Sequence, residues 1–316
     1  MPAKDDHAAA LALAAGLTDL RLAGDGLEFT VYRAKSPQYA PHDVALRIPK
    51  CDIFSNVNDP HLSAKELLQQ ELAIYTLLEP SAVPVPRPFE LLQVGDKAAM
   101  LSEYVDSDGS APSPEVLGQA LAQLHLVALP AGFTTVACEG TDILAVLPRR
   151  ITQRLTEFRK FDSVLPSTLS EDMLRCVIAD LKRFPSSLLH MDWRPANLRT
   201  VGGEIVAVVD FSNALVGPAA VDIFRVLELL QPGPDFLEAY ASIGSLPELS
   251  LAEELCLRLD AAVMIALVFL SESPDAELAP ARCSRVRELY RGLVELLKPR
   301  PPLDGNRSAG DHSHFV

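Results

Sequence analysis

Two periodicities divide the chain. From Leu20 to Arg47 apolar and polar residues alternate, in LEFTVYRAK and again in VALRIPK, so this stretch predicts strands. From Ser63 to Leu78 the spacing changes to that of a helix, with Leu67, Ile74, Tyr75 and Leu78 on one face. Glu71 falls within that stripe. A carboxylate aimed inward needs a cation, and Arg47 in VALRIPK is the natural partner; the other reading is a half-exposed carboxylate at the rim of the helix. VPVPRPFEL is too rich in proline for a helix and reads as an extended linker. FELLQVG and AAMLSEYV then predict a strand pair that ends at Glu103, Tyr104 and Val105.

The polar stretch DSDGSAPSP suits a boundary between lobes. A hinge there could offer the backbone of Glu103, Tyr104 and Val105 to an adenine ring, or it could be an ordinary loop. Beyond it the helical period dominates: Pro114 to about Leu129, where His125 reads as a hydrogen-bonded packing residue, then PRRITQRLTEFRKF, then SEDMLRCVIADLKRF with Ser170 as its N-cap. After Asp222 the pattern is helical through Leu297. The remainder, to Val316, has no periodicity and reads as a disordered tail over 299–316.

One segment breaks the helical run. In LLHMDWRPANLRTVGGEIVAVVDF, residues 188–211, two short strand patterns flank Gly202-Gly203 and predict a β-hairpin. A hairpin returns to where it began, so Asn197 at its entry and Asp210 at its exit should lie side by side. With His190 and Asp192 they complete H-x-D-x-x-x-x-N followed by D-F, the residue order of a kinase-type phosphoryl-transfer site. The chemistry accounts for the residue types. A carboxylate, Asp192, orients an attacking hydroxyl and accepts its proton; Asn197 and Asp210 supply oxygen ligands for Mg²⁺; Arg194 can set a fixed positive charge against the phosphate in flight. Trp193 reads as core.

Composition narrows the function. The net charge of −14, from 28 Lys plus Arg against 42 Asp plus Glu, argues against nucleic acid or an anionic membrane as partner and suits a cationic small molecule. The five cysteines are widely spaced without a C-x-x-C pair, as expected in a reducing cytosol. AAALALAAGL near the N-terminus follows Asp5 and Asp6 and reads as a helix, not a signal segment. AAVMIALVFL, at 261–270, is about half the ~20 residues a bilayer needs, so it reads as core helix. Asp260 immediately precedes it. A carboxylate there needs either an arginine from elsewhere in the fold or an ammonium group on the substrate.

Taken together, HMDWRPAN, VVDF and GPAAVD resemble the catalytic blocks of the aminoglycoside phosphotransferase and choline kinase family, and LQQELAIYTLL and LGQALAQLH are similar to two of its helices. Met191 and Phe211 stand where that family usually has Gly and Trp, and AGDG is a poor glycine-rich loop. The resemblance spans roughly residues 20 to 295. It implies an α+β, bilobal, protein-kinase-like fold: a small β-rich N-terminal lobe over 1–105 that binds nucleotide through Arg47, Glu71 and the hinge, and a large mainly helical lobe over 106–298. It implies Asp192 as base, Asn197 and Asp210 as metal ligands, and Asp222 as a carboxylate buried beneath the catalytic loop. ATP and Mg²⁺ are the expected cofactors, and a hydroxyl of a small, cationic molecule is the expected acceptor. The alternatives are a nucleotide-binding pseudokinase, an enzyme that uses nucleotide for acyl activation, and a protein kinase. Against the last, GPAAVD follows Asp210 too soon for a peptide platform.

Overall fold

The computed structural model describes residues 3–55, 61–138, 142–166 and 168–298; the tail expected at 299–316 lies outside them. In chain order the N-terminal part consists of α1 (Ala3–Ala14), β1 (Thr18–Asp25), β2 (Phe29–Lys35), β3 (Val44–Pro49), the two-residue strands β4 (Ile53–Phe54) and β5 (Leu62–Ser63), α2 (Ala64–Leu78), β6 (Pro88–Val94) and β7 (Lys97–Glu103). Five of the strands form an antiparallel sheet in the order β1-β2-β3-β7-β6.

Strand alternation gives this sheet two faces. Val44, Leu46, Ile48, Ala99 and Leu101 pack with Ala8 and Leu11 of α1, whereas Ala98 and Met100 pack with Leu67, Leu68 and Ile74 of α2. Arg47, paired with Val31 and Met100, therefore points to the α2 side. Ser63 caps α2 by accepting a hydrogen bond from the Glu66 amide, a contact that typically stabilises a helix by about 1 kcal/mol.

The remainder is mainly helical: α3 (Pro114–His125), α4 (Ile143–Phe158), α5 (Glu171–Ile178), β8 (Ser186–Leu189), β9 (Leu198–Val201), β10 (Glu204–Val208), β11 (Leu215–Pro218), α6 (Ala220–Leu230), α7 (Pro234–Ala241), α8 (Leu251–Leu267) and α9 (Ala279–Leu297). α8 is apolar on most faces because α4, α6 and α9 all pack on it. α3 approaches α7 closely through Gly118, where a Cβ would lie 2.2 Å from the Phe236 carbonyl oxygen. Among the described residues no helix is long and apolar enough to cross a membrane.

Three element boundaries differ from the sequence reading. α3 stops at His125, where the Leu126 amide turns back to the Ala122 and Gln123 carbonyls, four residues short of Leu129. α4 begins at Ile143 under an Asp142 cap and keeps Pro148 inside it. The proline forfeits one backbone hydrogen bond, which burial of Ile143, Leu147 and Ile151 offsets. Leu215–Pro218 pairs antiparallel with β8, a strand that the sequence reading left out. That short strand leads the chain into α6.

Candidate active site

The hairpin β9–β10 forms as its sequence predicts. Gly202 and Gly203 take φ +60° and +85°, left-handed values that a two-residue turn requires. At the open end the Val209 amide donates to the Asn197 carbonyl at 2.9 Å, so Asn197 and Asp210 are neighbours. The polar segment 107–110 binds the same hairpin. Ser107 exchanges hydrogen bonds with the Thr200 backbone at 3.0 Å, the Asp108 carboxylate accepts from the Gly202 amide at 2.8 Å, and Ser110 Oγ accepts from the Gly203 amide at 2.7 Å. The Ser110 hydroxyl and the amides of Gly202 and Ser110 hold the exposed Asp108 carboxyl down at about 2. The stretch expected to be a boundary is thus tied to the element that bears Asn197 and Asp210.

Asp222 organises the loop before the hairpin. Fully buried, it accepts from the His190 amide at 2.7 Å and the Met191 amide at 3.1 Å, and His125 Nε2 lies 3.3 Å from the same carboxylate. Burial pushes the Asp222 carboxyl up, but hydrogen bonding and charge from His125 outweigh it and leave the group below the usual carboxylate range. Met191 sits at φ +65°, the conformation for which the related families' glycine is suited. Its amide hydrogen bond to Asp222 helps hold that strained backbone. The His190 ring, with Nε2 3.1 Å from the Val209 carbonyl and Nδ1 accepting from the Asp192 amide at 3.2 Å, joins the loop to the end of β10. Trp193 is buried against this ring, as core.

Asp192 is held at one oxygen. Its Oδ2 accepts from Asn197 Nδ2 at 2.7 Å and from Arg194 Nε at 3.0 Å. Arg194 is thus placed beside Asp192. Because the Asn197 amide nitrogen is committed inward, its carbonyl oxygen is left for a cation.

The N-terminal part contributes a second, buried cluster. Arg47 Nη2 donates to Asp210 Oδ1 at 2.6 Å, and its other nitrogens lie 3.3 to 3.4 Å from the Glu71 carboxylate. Glu71, 1% exposed, also accepts from Tyr75 Oη at 2.7 Å and from the Asp210 amide at 3.0 Å. The inward placement of Glu71 is therefore the one realised, not the rim. Burial raises the Glu71 carboxyl despite the Arg47 charge. For Asp210 burial is outweighed by the Arg47 charge and by hydrogen bonds from Ser212 and Arg47, which hold its carboxyl at about 2. Arg47 also lies over the Phe29 ring, its guanidinium carbon 4.1 Å from the centroid.

At the expected hinge, the Tyr104 amide donates to the Asp43 carbonyl at 2.8 Å, and the Glu103 carboxylate lies 2.9 Å from His42 Nδ1. Arg33 bridges Asp43 and Asp106 and stacks over the Tyr104 ring at 4.7 Å. The side chains of Glu103 and Tyr104 are thus engaged with the sheet, and only the backbone of this segment is suited to reading a base.

Asp260 requires correction as a partner for a substrate amine. It is 3% exposed, and Arg154 Nη1 donates to its Oδ1 at 2.6 Å. The cation it needs comes from α4. Arg154 was legible by the argument that found Glu71: it shares a helical stripe with Leu147, Ile151, Leu155 and Phe158, so a charged residue falls on an apolar face. Arg225 on α6, which feels the charges of Arg154, Asp260 and Asp192, carries no comparable mark in the sequence.

An Mg²⁺ ion fits this donor set. Among the described residues no group of three or more His, Cys, Asp and Glu could enclose a metal, and Mg²⁺ beside a nucleotide needs only one or two protein oxygens besides water and phosphate. The Asn197 carbonyl oxygen and Asp210 Oδ2, opposite the oxygen held by Arg47 and Ser212, are the donors at hand.

The fold recurs in known structures. An ADP-bound aminoglycoside phosphotransferase APH(2'')-Ib is 14% identical, with 94% of this chain and 99% of that one covered and a TM-score of 0.57. A thermostable APH(4)-Ia in ternary complex with AMP-PNP and hygromycin B is also 14% identical, covering 89% and 97% with a TM-score of 0.59. The macrolide 2'-phosphotransferase MphH from Brachybacterium faecium is 21% identical, covering 89% and 98% with a TM-score of 0.53. No curated protein sequence matches the chain. The model of the phosphotransferase enzyme family, APH, matches residues 19–255, from the second residue of β1 through the hairpin β9–β10 into α8, and the chain belongs to that family.

Proposed function

We propose that this phosphotransferase moves the γ-phosphoryl group of ATP to a hydroxyl of a small molecule. The observation that carries the reading is the convergence of two hydrogen-bonded groups, Asp192 with Asn197 and Arg47 with Glu71 and Asp210, joined by the Val209 amide on the Asn197 carbonyl. Solved relatives that hold ADP or AMP-PNP on the same fold support ATP as donor.

In this reading Asp192 accepts the proton of the acceptor hydroxyl as its oxygen bonds the γ-phosphorus, and the bond from that phosphorus to the β–γ bridging oxygen breaks with loss of ADP. The Asn197 amide keeps Asp192 oriented, and Arg194 offers positive charge beside the transferring group. Arg47, set by Glu71, faces the nucleotide phosphates, and the backbone of 103–105 faces the base. Mg²⁺, held by Asn197 and Asp210, neutralises charge on the triphosphate when bound. The test is transfer of labelled γ-phosphate from Mg-ATP into a library of hydroxylated small molecules, with Asp192→Asn as control. Nucleotide binding without transfer to any acceptor, by the wild type as by the variant, would support a nucleotide-binding pseudokinase instead.

A further inference from the structure

Asp260 suggested a cationic acceptor, yet its surroundings carry the opposite charge. Arg150 and Arg154 stand one turn apart on α4. Arg225 stands on α6, one turn beyond the Asp222 that holds the amides of the catalytic loop. α8, which carries Asp260, packs against both helices. The charges of Arg154, Asp260, Arg150 and, least of these, Asp192 act on Arg225. Arg154 pairs with Asp260, and the charges of both act on Arg225.

The hydrogen bonding is incomplete in the same place. Arg154 is 2% exposed and gives Nη1 to Asp260, but its Nε and Nη2 reach no acceptor among the described residues, and neither does the buried Nε of Arg225. Burying a guanidinium with unanswered donors is unfavourable. A structural ion pair would need only Arg154 and Asp260. The further arginine from α6 adds like-charge repulsion and desolvation, which together lower the affinity of Arg225 for its proton. An oxyanion seated between α4 and α6 would supply the missing acceptors and offset both costs. A guanidinium fork matches the planar pair of oxygens of a carboxylate, or two oxygens of a phosphate.

We infer that Arg154 and Arg225, with Arg150, form an oxyanion subsite of the acceptor pocket, so that the molecule phosphorylated is a small hydroxy compound carrying a carboxylate or phosphate, not an amine. The inference rests on the phosphotransferase reading for its word acceptor; the anion site itself does not. Holding the anionic end against α4 and α6 presents the hydroxyl end to Asp192.

The experiment uses the full chain and measures binding and transfer separately. Calorimetry with AMP-PNP and Mg²⁺ present compares glycerate, glycerol 3-phosphate, glycerol and ethanolamine as probes. The same four are then offered as acceptors of labelled phosphate from Mg-ATP. Expected is binding of an anionic probe, glycerate or glycerol 3-phosphate according to whether the subsite takes a carboxylate or a phosphate, with glycerol and ethanolamine silent. Arg225→Gln should weaken that binding about tenfold or more and leave AMP-PNP affinity unchanged, with Arg225→Lys intermediate. Arg150→Gln is the second variant should Arg225→Gln fold poorly. Absence of anion binding, binding that neither variant weakens, or transfer to ethanolamine in preference to the anions overturns the inference. So does an Arg225→Gln effect confined to AMP-PNP, which would place the arginine on the nucleotide. Anion binding that persists with no transfer to any acceptor sinks the phosphotransferase reading and leaves the anion site standing.

Discussion

Arg47 and Asp210, 163 residues apart, form a 2.6 Å ion pair, and through it β3 of the sheet is joined to the end of the catalytic hairpin. Arginine suits this position because one guanidinium meets two carboxylates, Asp210 through Nη2 and Glu71 through Nη1 and Nε. A lysine has one charged atom to place between them.

Arg47→Ala should leave Glu71 buried without its cation. Breaking a buried pair from one side costs about 3–5 kcal/mol, so a clear fall in Tm is expected together with a raised KM for ATP. Arg47→Lys should recover much of the stability but not the activity, with kcat/KM for ATP down about tenfold because one of the two carboxylates loses its partner. Thermal unfolding and steady-state kinetics on the two variants check this. Equal activity in Arg47→Lys and wild type would show that the fork is dispensable.

Asp192→Asn should reduce phosphoryl transfer by about 10²–10⁴ while AMP-PNP affinity stays within about twofold of wild type. The amide retains the shape of the side chain and loses the ability to take a proton. Single-turnover transfer and calorimetry with AMP-PNP measure the two quantities, and unchanged turnover would remove Asp192 from the reaction.

Asp222→Asn should destabilise the protein and slow transfer together. Its carboxylate accepts two backbone amides and faces His125. An asparagine can turn only one oxygen toward them, leaving a buried amide unanswered at about 1–3 kcal/mol. Released from that anchor, Met191 can relax from its left-handed backbone and shift Asp192. Urea unfolding and kcat report the two effects. A stable variant with normal kcat would show that Asp222 does not position the loop.

Acid should weaken the fold through Asp210. Its carboxyl lies at about 2 in the folded protein against an ordinary value of 3.8. The stability this contributes, on the order of 2 kcal/mol, is fully present above pH ~4 and is lost as pH falls toward the folded value. Glu71, raised by burial, acts in the opposite sense: its contribution is present at low pH and is lost as pH rises through its folded value. Urea unfolding from pH 6 to pH 2 should show a shallower acid limb in Asp210→Asn than in the wild type. The same variant should lose most of its Mg²⁺-dependent transfer, because the ion's charge is a large part of phosphate neutralisation. Parallel acid limbs would place the sensitivity on other carboxylates.

What was legible along the chain was local. The hairpin announced itself through two alternating strands about Gly202-Gly203, and because a hairpin closes on itself, the neighbourhood of Asn197 and Asp210 followed from sequence spacing alone. The stripe of α2 was legible for the same reason, and so was the misfit of Glu71 within it. Boundaries were less so. Pro148 lies within α4, and Leu215–Pro218 forms a strand, because burial and a distant pairing partner outweigh local preference at both places.

The sequence by itself determined the elements, the order of the catalytic residues and the presence of charged residues on apolar faces, since each depends on a period of two or of 3.6 residues within one segment. Only the tertiary structure decided which charge answers which. Asp260 is met by Arg154 and not by a ligand, Arg47 divides its fork between Glu71 and Asp210, and the polar segment 107–110 binds the hairpin in place of lying free as a linker. The physical reason is common to all three. A charge or amide drawn into the fold needs a partner at hydrogen-bonding distance, and which groups come within that distance is set by how segments distant in sequence pack, information that no single segment carries.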